Sequence, residues 1–318
     1  MSSVVIDQSN CLNCQAPLAG AFCAACGQKA SAPNPTFHDF LHEFSHELLH
    51  VDGRLFQSIR LLFTRPGFLT REHIEGRRAS YAAPMRLYLT FSLIYFVLAV
   101  YAPLEMSVRM DAKRGRVLHT GGLDLSGDIL EGRTDEEVAE WIHRMQHEWM
   151  PRMMFVMVPV FALFTARAVR PKRRFPQHLY FALHAHAAWF GIFSLVEVAR
   201  FAHVPAISAG AAIAAAAAIV IYTTIAVRTV FGKTWLRAGL QSVTTLFGYL
   251  ALLVIVMVGL FITLYLADVT KAKKAGPSQA RLHQIRIDPA AAQCASAGAS
   301  GCFLCLPRMP LKPSSNSV

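Results

Sequence analysis

The chain has 318 residues, of which 54% carry apolar side chains and only 16% are charged. Soluble domains average about 25% charged residues, so two ordinary soluble domains are excluded and a polytopic membrane protein is indicated. The net charge of +11 does not indicate nucleic acid, because the basic residues sit beside apolar stretches, where the bilayer surface and its anionic headgroups are the expected partner.

No basic start followed by an apolar core is seen at the N-terminus, so the first span is expected to serve as an uncleaved anchor. Residues 11–27 instead read Cys-x2-Cys, eight residues, then Cys-x2-Cys-Gly. Each Cys-x2-Cys makes a tight turn that aims two thiolates at one ion. Cys11, Cys14, Cys23 and Cys26 complete a tetrahedron with no open position, so the site is structural and the expected cofactor is zinc. Reduced thiols of this kind place the head in the cytoplasm. The head is expected over residues 1–30, a zinc ribbon by its spacing.

Residues 31–83 read as cytosolic amphipathic helices and a basic collar. Ser31–Pro35 is a linker by composition. A helix is expected from Thr36, with Phe37, Phe40, Leu41, Phe44, Leu48 and Val51 on one face. His38, His42, His46 and His50 recur on its other side and read as a solvated face. A second short helix is expected from Gly53 to the Pro66-Gly67 break. The collar, Arg65 to Tyr88, follows and carries Arg65, Arg77, Arg78 and Arg86. Arginines before a first span hold that side in the cytoplasm and bind lipid headgroups.

The membrane bundle is expected over 84–267, with about five spans. The first runs Pro84–Pro103. An acidic excursion, 104–150, comes next, with a capped helix from Thr134 whose apolar stripe is Val138, Trp141, Ile142, Met145 and Trp149. Span two is about Arg152–Val169, span three Leu179–Ala199, span four Ala206–Val227 and span five Gly239–Leu266. The collar is basic, the excursion acidic, the loop after span two strongly basic, the next loop nearly uncharged, and the loop after span four basic. That alternation predicts an inner-membrane protein with its N-terminus in the cytoplasm. The residues from 268 to 318 read as a low-complexity, disordered tail, and its Cys294, Cys302 and Cys305 are given no role.

Span three carries ionisable groups in lipid: His178 at its mouth, then His184, His186 and Glu197. His184 and His186 point about 200° apart, and His186 and Glu197 lie about 16 Å apart along the axis. Hydrogen bonds between helices explain them more simply than an ion path does. No Ser/His/Asp set, phosphate loop or open metal triad is present, so an enzyme is not expected.

Together these features resemble DUF3667, a bacterial family of membrane proteins of unknown function. The resemblance rests on Cys11, Cys14, Cys23, Cys26-Gly27-Gln28, Arg65-Pro66-Gly67, Gly76-Arg77-Arg78, Tyr81, Pro84 and Tyr88. It continues through His178-Leu179, Phe181-Ala182-Leu183-His184 and His186, and covers roughly residues 10–265. It implies a multi-pass membrane protein with an N-terminal zinc ribbon and supplies no activity. The function expected is interaction or scaffolding, with the head engaging a cytosolic protein partner. The alternatives are a small transporter or proton path through His184, His186 and Glu197, and, more remotely, lipid modification by His184 with the collar arginines.

Overall fold

The fold is mainly α-helical, as expected. The computed structural model describes residues 9–30, 53–101, 106–111, 115–120, 123–126, 148–169 and 174–287. The helix expected from Thr36, with its histidine row, lies outside those residues. So do most of the excursion helix from Thr134 and the tail cysteines.

Seven helices and three strands are seen among the described residues. Two short helices lie in the collar region: α1 (Gly53–Thr64) and α2 (Phe68–Ile74). Then come α3 (Pro84–Tyr101), the strands β1 (Met106–Asp111), β2 (Gly115–Thr120) and β3 (Leu123–Ser126), and α4 (Met150–Ala168). The chain continues with α5 (Phe175–Arg200), α6 (Pro205–Phe231) and α7 (Trp235–Ile287). The strands form an antiparallel meander in the order β1-β2-β3. The excursion had been read as leading only to a helix, so the sheet is an addition to that reading. Span-length apolar runs dominate the pattern, and three strands of four to six residues leave little signal beside them.

Among the described residues, five helices are long and apolar enough to cross a membrane: α3, α4, α5, α6 and the Trp235–Leu264 part of α7. Proline opens four of them, at Pro84, Pro151, Pro176 and Pro205. The ring presets the helical φ, and the missing N–H would have had no partner in the first turn anyway. The observed α5 starts four residues before the expected boundary at Leu179. The helix α7 runs through the expected boundary at 267 to Ile287.

Two compact units are present, Met1–Ala251 and Leu252–Val318. The second contains the rest of α7. In the first, α5 is the centre. Its span is 72% buried, against 28% for each of α3, α4 and α6. Every residue from His178 to Phe190 is buried. Its contacts with α3, α4 and α6 make it the helix around which the others pack. Packing is densest at one end. In α3 the buried residues fall between Pro84 and Ser92, and Leu93, Ile94, Val97 and Val100 are exposed. In α6 the buried residues fall between Ala215 and Phe231. Exposed leucine, isoleucine and valine on these outer faces suit lipid rather than water.

The collar closes the dense end. Gly67, at the N-terminus of α2, has φ 82°, and a Cβ there would lie 2.8 Å from the Ala226 carbonyl oxygen and 3.0 Å from Ala226 Cα on α6. Both the left-handed backbone and the close approach to α6 demand glycine. Ser58 on α1 donates to the Arg54 carbonyl at 2.7 Å and accepts the Ala82 N–H at 2.9 Å, tying α1 to the end of the collar.

Gly67→Ala is therefore expected to destabilise the protein by about 2–4 kcal/mol, from the left-handed backbone and overpacking against α6. Gly210→Ala, at a position with open space around it, is the control and should change little. Thermal unfolding in detergent measures both, and equal melting of the two variants contradicts the packing described.

Candidate metal centre and buried polar cluster

The head is built from two knuckles with the same backbone pattern. In the first, Cys11 N–H donates to the Ala16 carbonyl at 2.8 Å, Gln15 N–H to Cys11 at 2.9 Å and Leu18 N–H to Ser9 at 3.0 Å. In the second, Cys23 donates to Gln28 at 2.8 Å, Gly27 to Cys23 at 2.9 Å and Ala30 to Ala21 at 2.8 Å. Each bond of the first recurs at the matching position of the second. Short bridges, Asn10 with Pro17 and Phe22 with Lys29, close each knuckle on itself.

This doubling brings the four sulfurs together. Cys11 Sγ lies 3.6 Å from Cys26 Sγ, and Cys14 Sγ lies 3.5 Å from Cys23 Sγ. All four lie within 4.8 Å of one another. A tetrahedral ion with metal–sulfur bonds of about 2.3 Å spaces its sulfurs about 3.8 Å apart. The set therefore fits one ion with four thiolates. Cys11 and Cys23 are buried. The thiols are also electrically unequal. The N–H groups of Cys26 and Ala25 pull Cys23 down to about 7. The Ala16 N–H acts in the same sense on Cys14, but hydrogen bonding to Cys23 and burial outweigh it and push Cys14 up to about 12. Four sulfurs at this spacing ionise together only around a cation.

Both knuckles bear on the collar. Gln28, two residues beyond Cys26, uses its whole amide. Its Nε2 donates to the Gly76 carbonyl at 2.8 Å, and its Oε1 accepts the N–H groups of Arg78 and Ala79, both at 3.0 Å. From the other knuckle, Asn13 Oδ1 accepts Ser80 Oγ–H at 3.2 Å. The collar is shaped for this contact by the end of α2. Gly76 N–H donates to His73 at 3.2 Å and Arg77 N–H to Glu72 at 2.9 Å, the paired bonds of a Schellman ending. Gly76 sits at φ 84°, and a Cβ there would meet Leu12 of the head at 2.6 Å.

The collar arginines occupy different environments. Arg65 is exposed, with its guanidinium 5.9 Å from the Phe68 ring. Arg77 makes a two-pronged bond to the buried Glu72, 2.5 Å from Nε and 2.6 Å from Nη2, and also pairs with Glu75. Arg86 is buried at the start of α3. Arg78 lies over Tyr180 of α5, 5.9 Å from the ring centre.

The expected intramembrane residues are all buried, and each has its own neighbours. His184 Nδ1 lies 3.0 Å from Thr70 Oγ1 of α2. His186 Nδ1 lies 2.8 Å from the Ala182 carbonyl, which only accepts, so this nitrogen carries the proton. In the neutral ring, Nε2 then accepts from Tyr249 O–H of α7 at 3.0 Å. His178 stacks on Phe231, with ring centres 5.5 Å apart. Glu197 pairs with Arg200 at 2.9 Å, one turn along α5. His184 and His186 thus face different neighbours, and Glu197 keeps its own counterion. The helix-packing reading fits these partners.

One buried histidine was missed by sequence reasoning. His73, in α2, is 2% exposed and sits 5.4 Å from the His184 ring and 5.8 Å from the Tyr180 ring. Its Nδ1 donates to the Leu69 carbonyl at 2.9 Å. Burial is the main reason that its pKa falls from 6.5 to about 4, and the nearby charge of Arg78 adds to the fall. A histidine in a charged collar reads as surface, and nothing local announces a partner in α5. Gln28, Glu72 and Thr70 were missed as site residues for the same reason, although Gln28 stands within the resemblance.

Residues 52–96 match the family DUF3667, described as a protein of unknown function. The match covers α1, the collar and most of α3, and agrees with the resemblance read from those residues. No curated protein and no solved structure matches the chain.

The His73 shift has a fixed sign. Its folded pKa is depressed, so its contribution to stability is complete above about pH 6.5 and is lost as pH falls toward 4, by about 3 kcal/mol in all. His73→Leu removes the titration. Between pH 7 and pH 4 the stability of the variant relative to wild type, from denaturant unfolding in micelles, should rise by about 3 kcal/mol. Parallel pH profiles would show that His73 is not buried as a neutral ring.

Proposed function

We propose that this is a multi-pass inner-membrane protein whose zinc-loaded cytoplasmic head acts as a structural clip and interaction module, without a reaction of its own. The observation that carries the reading is the Gln28 amide, which joins the second knuckle to three points of the collar: Gly76, Arg78 and Ala79. A four-thiolate ion leaves no open position for a substrate or water, so zinc there braces the fold. A head this small has too little core to fold alone, and metal binding supplies its folding energy. The exposed outer side of the head, including Phe22, is the surface offered to a cytosolic protein partner, and the bilayer with its anionic headgroups is the other partner.

Purified full-length protein should contain one zinc per chain and no iron chromophore. Cobalt substitution should give the intense bands of a tetrahedral thiolate site. Cys23→Ser should lose the metal and raise hydrogen exchange in Gly76–Ser80, while the spans stay inserted. Unchanged exchange in the collar after metal loss would refute the clip. Capture of the same partners by the Cys23→Ser protein would refute the interaction role.

Orientation is tested separately. Reporter fusions after Gly121 and Lys172 should report opposite sides of the membrane, with Lys172 cytoplasmic. Equal signals would overturn the five-span model.

A further inference from the structure

Arg77 and Arg78 are adjacent in sequence and meet opposite surroundings. Arg77 uses Nε and Nη2 as a fork and fills it with the two oxygens of Glu72. Arg78 has the same fork. Its Nε and Nη2 are both shielded from solvent, and neither has a hydrogen-bond partner. A guanidinium is charged at every pH the protein meets. Two buried donors on a permanent cation call for an acceptor with two oxygens in one plane. Glu72, the nearby buried acid, is already committed to Arg77.

A second unanswered atom belongs to the same group of side chains. His184 is 2% exposed, and its Nε2 is buried without a partner. The group is continuous: Arg78 lies on Tyr180, Tyr180 on His73, and His73 on His184. His73 donates through Nδ1, so in its neutral form Nε2 offers a lone pair. The cluster therefore combines a two-pronged cationic donor with imidazole nitrogens. A carboxylate answers only the donor. A phosphate answers both, because it presents paired anionic oxygens and, as a monoanion, an O–H as well.

The position in the fold suits that ligand. Arg78 precedes the first span by a few residues, and Tyr180 lies in the first two turns of α5. The cluster thus sits where two candidate spans begin, the end that a headgroup layer would meet. We propose that the Arg78 fork, over Tyr180 and beside His73 and His184, holds a phosphate group, supplied either by a phospholipid headgroup or by free phosphate. The site shares the membrane placement of the functional reading above but does not depend on which metal the head holds.

Full-length protein in detergent, exchanged free of lipid, is titrated with inorganic phosphate and, separately, with short-chain phosphatidic acid. One equivalent of a phosphate group should bind. Saturation by inorganic phosphate identifies the free ion as sufficient, and binding of phosphatidic acid alone identifies the headgroup. Arg78→Lys keeps the charge but loses the fork, and should weaken binding at least tenfold. Arg60→Lys, at an exposed arginine outside the collar, should bind as wild type does. Zinc content and the melting transition are recorded for each variant. If Arg78→Lys loses either, the wild type decides: the bound probe should protect the segment around Arg78 from hydrogen exchange, mapped by mass spectrometry. Unchanged affinity in a folded Arg78→Lys, no binding of either probe by the wild type, or no protection of the segment around Arg78 overturns the proposal. Zinc loss with phosphate binding retained would count against the clip alone.

Discussion

A polar side chain inside a membrane bundle has no water to turn to, and its partner must come from the protein itself. The helix α5 is arranged around that constraint. It is the most deeply buried span, and it is also the one with three buried histidines. Each is met by a different element: His184 by Thr70 of the collar, His186 by Tyr249 of α7, and His178 by the Phe231 ring at the end of α6. Directional bonds of this kind fix the rotation of α5 about its axis, which apolar packing alone defines weakly. The collar helix α2 is held to α5 by the Thr70–His184 bond, so the collar and the bundle share one polar seam.

The head joins that seam from the other side. The chain from Gly76 to Ser80 is irregular, and its N–H and C=O groups need partners. The Schellman ending of α2 satisfies the first of them and Gln28 the next, while Asn13 takes the Ser80 hydroxyl. The result is a stack of three layers: cysteine head, collar and the start of the bundle. Arg78 touches all three, through its N–H to Gln28, its place in the collar and its guanidinium over Tyr180.

Different parts of this architecture were legible to different degrees. The spans announce themselves by length and apolar composition, because crossing a bilayer needs about 20 such residues wherever the helix packs. The cysteine set announces itself by spacing, since two Cys-x2-Cys turns have few other uses. The sheet after α3 did not, because its strands are short and lie in a charged excursion. The docking of the head was hidden as well. Gln28 reads as one more polar residue until Gly76, 48 residues on, is brought to it. His73 and His184 illustrate the general case. Sequence reasoning finds a buried ionisable group on a long apolar helix, but it does not find the group on a short polar helix that answers it.

The distance along the chain between the two sides of the seam also sets an order in time. Thr70 and His184 are 114 residues apart. At synthesis rates of about 5–20 residues per second, the collar waits roughly 6–23 s for its partner on α5. During that interval His73, Glu72 and Leu69 have no bundle to cover them, and the first span is already made. The cysteine head, by contrast, is made before the collar, since Cys11, Cys14, Cys23 and Cys26 all precede it in the chain. A newborn chain can therefore shape its collar against the head well before α5 exists, and the later spans then assemble onto a template rather than around a loose segment.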